Sequence, residues 1–392
     1  MEIKKEIENL TQELIKLRRD FHKHPELGFK EYRTSKIVAD YLEKCGLKVT
    51  KNIAKTGVVG LLEGNAPGPT LLLRADMDAL PIQEENEIPY KSTNDGIMHA
   101  CGHDAHTAIL LIAAKILSDY RKEIKGNIKF VFQPNEEGEG GAVTMIKEGV
   151  LENPHVDAAI GLHVWTPIES GKIGIISGPI MGSSYYFILT IKGKGGHGGA
   201  PHTSIDPVIC AANIIQTVQV IQTREIDALK PTVITFCKIR CGSSNTIIPD
   251  KINLEGSIRC LYKGSEEVRK RFKQIVKNIT EAHRASYELK FKCGNRLLSN
   301  DANMTKFVKF VAKEVVNIKN IQTSNIRMLI GEDFAEFALR VPSVFYFVGA
   351  GNKEKKSNYP HHNSHFKIDE DSLSIGVEMH IRTALKYLKN LN

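Results

Sequence analysis

The 392-residue sequence predicts an α/β fold carried by two separated segments of chain, with a smaller α+β domain of ferredoxin-like βαββαβ order inserted between them. Three observations lead there. Helical periodicity gives way near residue 57 to buried strands alternating with helices. Near residue 183 the texture changes to four strands and two helices, and from about residue 300 a helix and a buried strand restore the first texture. The expected boundaries are 1–182, 183–297 and 298–392, the first and last segments forming one domain. A chain of this length suggests two domains.

The elements follow in order. Ile3, Ile7, Leu10, Leu14 and Leu17 recur at three-to-four spacing and mark an opening helix. Pro25 and Gly28 interrupt it, and the pattern resumes over 35–42. Residues 70–73 read as a buried strand running into Arg74-Ala75-Asp76-Met77-Asp78, 107–117 as an apolar helix, and 127–132 and 157–162 as further strands. In the inserted domain strands are expected over 185–192, 232–238, 251–261 and 287–292, with helices over 206–223 and 265–285. A strand over 343–348 closes the series. Asp78, the pair Glu136 and Glu137, and His163 all fall just past the C-terminal ends of predicted strands. That edge is where open α/β sheets bind ligands.

Composition narrows the function classes. Hydrophobic residues make up 42% of the chain and charged residues 25%, the balance of an ordinary globular protein. The net charge is +8, but the lysines are scattered and not interleaved with aromatics. This speaks against a nucleic-acid surface and is compatible with anionic small substrates. No stretch reaches the roughly 18 apolar residues of a membrane span. The opening Met1-Glu2-Ile3-Lys4-Lys5-Glu6 is charged, without an apolar signal-like run. Cys45, Cys101, Cys210, Cys237, Cys241, Cys260 and Cys293 form an odd set with no Cys-x-x-Cys pair. They argue against a disulfide framework and for a reducing, cytoplasmic location.

The chemistry concentrates in two stretches. His99-Ala100-Cys101-Gly102-His103-Asp104-Ala105-His106 sets a thiolate two residues from an imidazole, just before a helix whose N-terminus is expected to lower the thiol pKa. Gln133-Pro134-Asn135-Glu136-Glu137-Gly138 sets two carboxylates side by side after a strand, so that one can bind an ion while the other takes a proton from water. Thiolate, imidazole and carboxylate suit a borderline-soft divalent ion, and the combination predicts a metal-dependent hydrolase. The blander readings are a buried Cys101 with Asp104 as a helix N-cap, and two solvated loop carboxylates. A lone histidine at a strand end, such as His163, is more often structural than a ligand. Spacing does not separate His361 from His362 in Pro360-His361-His362-Asn363-Ser364-His365-Phe366. Histidines 22, 24, 99, 106, 155, 202, 365 and 380 are read mostly as structural or solvated. In the inserted domain, the glycines around His197 mean either a flexible connection or close backbone approach to a ligand. Asn245 and Arg259 supply an amide and a guanidinium suited to a substrate carboxylate.

Five motifs in order resemble the M20D branch of metallopeptidases: Arg74-Ala75-Asp76-Met77-Asp78-Ala79-Leu80-Pro81, Met98-His99-Ala100-Cys101-Gly102-His103-Asp104, Phe132-Gln133-Pro134-Asn135-Glu136-Glu137-Gly138, Gly195-Gly196-His197-Gly198 and Gly331-Glu332-Asp333-Phe334. The likeness runs from Arg18-Arg19-Asp20 to Asp369-Glu370-Asp371. It implies a zinc-exopeptidase-like catalytic domain in segments 1–182 and 298–392, with a lid or dimerisation domain inserted over 183–297. It implies two divalent ions per subunit (zinc, manganese, cobalt or nickel) held by Cys101, His103, Glu137, His163 and His362. Glu136 becomes the general base, and Asp78 a carboxylate that orients a ligand such as His103. His197 would reach the tetrahedral oxyanion, in a partner subunit's site if the chain forms a homo-oligomer. Asn245 and Arg259 would grip the substrate carboxylate. Asn135, where the branch usually has alanine, is expected to matter little.

The reaction so implied is hydrolysis of the amide of an N-acyl-L-amino acid, as in aminoacylases and hippurate hydrolases, releasing the free amino acid. A metallocarboxypeptidase acting on peptides or blocked dipeptides shares the chemistry, and deacetylation of N-acetyldiaminopimelate is a narrower alternative. A binding protein without catalysis would be expected to lack one of Cys101, His103, Glu136, Glu137, His163 or His362, and none is missing. Neither nucleic acid nor membrane is an expected partner.

Overall fold

The spacing of Ile3, Ile7 and Leu14 buries those side chains on one face of α1 (Ile3–Lys23) in the computed structural model, which describes residues 3–138 and 140–389. Met1 and Glu2 of the charged opening stretch lie outside the described residues. The chain divides into two units, each with its own apolar core. One takes in the chain up to Gly178, Ser299–Ile326 and Asp333 onward; the other takes in Pro179–Leu298 and Arg327–Glu332.

After α1 the first unit runs through α2 (Tyr32–Lys44), β1 (Lys48–Ile53), β2 (Gly57–Glu63), β3 (Ala66–Asp76), α3 (His103–Asp119), β4 (Lys125–Gln133), α4 (Gly141–Lys147), β5 (Ala158–Glu169) and β6 (Ile173–Gly174). The second unit then forms β7 (Ser183–Lys192), α5 (Pro207–Thr217), β8 (Thr232–Arg240), β9 (Lys251–Cys260), α6 (Ser265–Ala282) and β10 (Ser286–Cys293). The chain returns to the first unit with α7 (Ala302–Val315), β11 (Ile321–Gln322), β12 (Ser343–Gly351) and α8 (Leu373–Lys389).

The first unit's eight strands lie in the order β1-β2-β4-β3-β5-β12-β6-β11, and the central four, β4-β3-β5-β12, are parallel. Strands covered on both faces read as continuous apolar runs. Leu71, Leu72 and Leu73 on β3 and every residue of β12 are accordingly buried. Helix α3 is buried on nearly all sides, from His103 to Leu117, with Lys115 partly exposed. It is therefore a central helix and not a surface one. Among the described residues no helix is long and apolar enough to cross a membrane.

The second unit's four-stranded sheet has the order β8-β9-β7-β10, antiparallel throughout, with α5 and α6 in the ferredoxin-like connections. Two details depart from the sequence expectation. The helix expected over 206–223 ends at Thr217, turns at Val218 and finishes as a π-helical turn over Ile221–Glu225. The β-branched residues Thr217, Val218, Val220, Ile221 and Thr223 crowd a regular α-helix there. Strand β5 does not stop before His163 but runs on to Glu169, so His163 stands within the strand, opposite Phe347 of β12. An imidazole is tolerated in a buried strand when its ring nitrogens find partners, as they do here.

Candidate metal centre

The chain leaves β3 toward β4 on one side and β5 toward β6 and β12 on the other. A crevice therefore opens at the carboxyl ends of β3 and β5. Asp78 follows β3, Glu136 and Glu137 follow β4, His163 lies on β5, and α3 begins with His103. Gly102 makes the sharp turn that precedes α3: it has φ +96°, and a side chain there would run into Val164. That turn brings Cys101 and His103 into one cluster.

Asp78 organises two of these segments. Its backbone carbonyl lies 2.9 Å and its Oδ1 3.3 Å from Nδ1 of His103, while its Oδ2 accepts the Glu137 amide at 3.0 Å. With Nδ1 of His103 so engaged, Nε2 faces the cluster, and this buried atom has no hydrogen-bond partner among the described residues. His163 is set the same way. Its Nδ1 donates to the Val164 carbonyl at 2.7 Å, and its Nε2 lies 3.4 Å from Sγ of Cys101. The His362 amide donates to the Ala100 carbonyl at 2.8 Å, and its Nε2 lies 3.1 Å from Oε1 of Glu137. Among the described residues, these side chains make three donor sets, each with its ligand atoms mutually within 4.8 Å: Cys101/His103/His163, Cys101/Glu137/His362 and His103/Glu136/Glu137. Ligands sharing one ion at about 2.0–2.3 Å fall within such a spread.

Charge in the cluster also favours a cation. The Cys101 thiol is pushed well above its ordinary pKa by burial, and further by Glu137 and Glu136. The helix N-terminus expected to lower it does not prevail, because the side chain is fully enclosed and faces two carboxylates. Burial opposes a charge on His103, but Asp76, Asp78 and Glu137 outweigh it and raise its pKa to about 10. Burial together with His106 and His361 drives His163 well below its usual value, leaving the neutral imidazole that a metal needs. A thiol, a neutral imidazole and carboxylates crowded together fit a divalent ion, which would take the place of the proton that those carboxylates hold on the His103 ring.

Beneath these donors lies a polar layer the sequence reading did not single out. Arg74 pairs with Asp76 at 2.6 Å and with Asp333 at 3.0 Å. The Asp76 carboxylate holds Nδ1 of His106 at 2.6 Å, and Nε2 of His106 accepts the Val164 amide at 2.9 Å. Gln133 donates to Asp333 at 2.7 Å, and the Asp333 amide donates to Glu136 at 3.4 Å. His361 stacks on Trp165 with ring centres 4.2 Å apart, and its Nδ1 lies 3.2 Å from the Cys101 carbonyl. The available signals were Asp76, the last residue of β3 and two before Asp78, and His106, three residues after His103 on one helix face.

The three candidates on the inserted domain belong to the second unit. His197 pairs with Ile247, lines a groove of about 870 Å³ together with Arg240 and Lys251, and accepts the Gly199 amide on Nδ1 at 3.0 Å. Asn245 is exposed on the same turn region. Arg259 is half-buried at the far end of β9, where it donates to the Leu329 carbonyl at 3.0 Å. Eight residues separate it from Lys251, the strand's near end, which is roughly 26 Å at about 3.3 Å per residue. The sheet thus does not bring Arg259 together with His197 and Asn245.

Known proteins resemble this chain along most of its length. Residues 72–386 match the profile of peptidase family M20/M25/M40. Thermostable carboxypeptidase 2 of Saccharolobus solfataricus is 38% identical over 98% of each chain. An N-acyl-L-amino acid amidohydrolase of Geobacillus stearothermophilus is 43% identical over 76% of this chain and 81% of its own. The crystal structure of the Bacillus subtilis YXEP protein, a dinuclear metal-binding peptidase of family M20, superposes with a TM-score of 0.84 at 32% identity, covering 98% of this chain and 100% of that one. The chain therefore belongs to peptidase family M20/M25/M40 and is a hydrolase of amide bonds.

Proposed function

We propose that the chain hydrolyses the amide of N-acyl-L-amino acids and releases the free amino acid. The observation that carries this reading is the overlap of the three donor sets, which puts Glu136 beside a site with donors enough for two ions. Cys101, His103, Glu137, His163 and His362 are the residues to hold them. Divalent ions so held would supply Lewis-acid polarisation of the scissile carbonyl. Zinc, manganese, cobalt and nickel all suit such donors, and geometry and supply choose among them.

Glu136 takes a proton from the attacking water and returns it to the leaving amine. Asp78 works through its neighbours, holding the ring of His103 and the amide of Glu137. Since Nδ1 of His197 accepts a hydrogen bond, its proton sits on Nε2 and is free to donate to the developing oxyanion. Asn245 and Arg259 bind the substrate carboxylate. In a homo-oligomer His197 and Asn245 would serve a partner's site, so one sheet need not bring them to Arg259. In these terms 1–182 and 298–392 form the catalytic domain, and 183–297 is the lid or dimerisation domain. The seven unpaired cysteines favour a cytoplasmic location.

A carboxypeptidase reading stays beside the first because the Saccharolobus relative, matched over 98% of both chains, bears that name. The test is amino-acid release from N-acetyl-methionine, hippurate and a benzyloxycarbonyl dipeptide, before and after chelation, with zinc, manganese or cobalt restored. Release from the acyl amino acids supports the proposal. Release from the dipeptide alone replaces it with the carboxypeptidase. Glu136→Gln is expected to keep its metal and lose turnover, and activity near wild type would remove Glu136 from the role of base.

A further inference from the structure

The turn between α1 and α2, residues 26–31, lies before the stretch matched by the family profile, yet it touches the loop that carries Asp78 and the loop that carries Glu136 and Glu137. The Glu26 carbonyl accepts the Ala79 amide at 2.8 Å, and Leu27 bridges to Ala79, one residue past Asp78. Glu31 accepts the Asn135 amide at 2.9 Å on Oε1 and the Thr56 hydroxyl at 2.5 Å on Oε2. Asn135 is adjacent to Glu136 and has φ +54°, a left-handed conformation that asparagine accepts more readily than most residues. A methyl group at Gly28 or Gly138 would overlap the Asn135 carboxamide oxygen, so that side chain sits keyed between the two glycines. Asn135 thus matters structurally, contrary to the expectation from sequence.

Glu31 is fully buried, although a carboxylate is costly to enclose. Its side chain is not needed to start α2. The amides of Arg33 and Thr34 are already accepted by Glu26, at 3.0 and 2.8 Å, and Glu31 makes no capping bond. Both of its oxygens are instead directed to Thr56 and to the backbone that precedes Glu136 and Glu137. Burial and the nearby charge of Asp78 raise its pKa to about 7, against the Thr56 hydrogen bond that lowers it. A neutral acceptor of the same shape can therefore stand in for it.

We propose that Glu31 is a positioning residue: by holding the Asn135 amide it fixes the loop that aims Glu136 and Glu137 at the centre. This rests on the roles given above to Glu136 and Glu137. In Glu31→Leu the Asn135 amide loses its acceptor. In Glu31→Gln the amide oxygen can face Asn135 while the NH2 donates to the Thr56 hydroxyl, which accepts as readily as it donates.

The experiment measures three quantities on chelator-stripped and reloaded full-length protein: kcat and KM on N-acetyl-methionine, cobalt(II) affinity by visible absorption, and the thermal midpoint. Glu31→Leu should lower kcat by about 10–100-fold with KM within about threefold, and weaken cobalt binding by about tenfold or more. Glu31→Gln should restore both. A purely structural residue would lower only the thermal midpoint, so wild-type kcat and cobalt affinity in Glu31→Leu would overturn the proposal. So would a Glu31→Gln variant as impaired as Glu31→Leu. If Glu31→Leu does not fold, Thr56→Val carries the test with a severalfold fall in kcat expected, and unchanged kcat would overturn it. Wild-type protein that binds cobalt but releases no amino acid would refute the substrate reading alone. The ratio of cobalt affinities would then decide the role of Glu31.

Discussion

Replacing Arg18 should cost more stability than any surface charge and should do so in a pH-dependent way. The guanidinium is fully buried, 2.9 Å from the Asp104 carboxylate, 3.3 Å from Glu370 and stacked over the Tyr90 ring at 5.0 Å. Asp104 is equally buried, and its Oδ2 also lies 2.8 Å from Nδ1 of His22. Arg18→Met leaves Asp104 enclosed with only His22 to balance it, and breaking a buried pair from one side costs about 3–5 kcal/mol. His22 sets the pH dependence. Burial and Arg18 push its pKa down, but Asp104 and Glu84 push it up by more. A raised histidine pKa stabilises the fold at low pH, and the benefit fades as pH rises through the folded value. Without Arg18 that pKa rises further, so Arg18→Met should lose more stability at pH 9 than at pH 6. Each tenfold gain in the proton affinity of His22 widens that difference by about 1.4 kcal/mol. Trp165, the chain's single tryptophan, lies in the same unit and reports its urea transition. Arg18→Met, Asp104→Ala and the double variant, all metal-stripped, complete the cycle. The double variant should recover at least about 2 kcal/mol relative to the sum of the singles. A loss below about 1 kcal/mol in Arg18→Met, or the same loss at both pH values, would refute this account of the buried pair.

Other expectations can be checked with the same reporter or with the hydrolysis assay. His380 is buried on α8, neither ring nitrogen has a hydrogen-bond partner among the described residues, and burial lowers its pKa to about 3. The unfolded chain therefore binds a proton below about pH 6.5 that the fold refuses, and wild type should lose about 2 kcal/mol from this group by pH 5. His380→Met should remove that part of the acid slope, and an unchanged slope would count against it. Chelation should lower the Trp165 transition, and divalent ion at about 100 times its Kd should restore roughly 2.7 kcal/mol. Cys101→Ala should blunt that response, and equal stabilisation of both proteins would separate Cys101 from the site. Arg259→Met should raise KM for N-acyl amino acids by about 10–100-fold with kcat little changed. Equal loss on substrates lacking the carboxylate would show that Arg259 acts only through Leu329.

What the sequence revealed and what it hid have separate physical causes. Strand β3 was legible from its unbroken Leu71-Leu72-Leu73 run and β4 from Ile128 and Phe130-Val131-Phe132, interrupted only by Lys129, and α3 because its apolar stretch is too long for a strand. Cys101, His103, Glu136 and Glu137 were legible because their residue types are improbable together in a bland loop and are close in sequence. Asp76, His106, Arg74 and Asp333 were not, because their partners lie up to 259 residues away and a single charged residue in a strand carries no sign of what it will meet. Arg18 and His22 were hidden for the opposite reason. They sit on a helix whose apolar stripe explains its burial, and nothing in a 3.6-residue period says that two polar residues share the inward face. His163 shows the limit of reading polarity as an end of structure: its ring is satisfied by Val164 and faces Cys101, so the strand continues through it.

The same logic explains why the centre is built at this place in the sheet. Five candidate ligands come from the turn before α3, the loop after β4, the middle of β5 and the loop before α8, and no two of these segments are hydrogen-bonded as neighbours in one hairpin. Only the parallel order β4-β3-β5 with diverging connections brings their carboxyl ends to one crevice. Once there, four of the five are fixed by a bond made with their other polar atom or their backbone: Nδ1 of His103 to Asp78, Nδ1 of His163 to Val164, the Glu137 amide to Asp78, the His362 amide to Ala100. An ion entering this centre meets donors whose orientation is already set, so little ordering cost remains at binding. The corollary is that residues supplying those outer bonds should change metal affinity nearly as much as the ligands do. The Asp78 side chain serves two of them at once, through Oδ1 to His103 and Oδ2 to Glu137, and Asp78→Ala is accordingly expected to lose metal before it loses its fold.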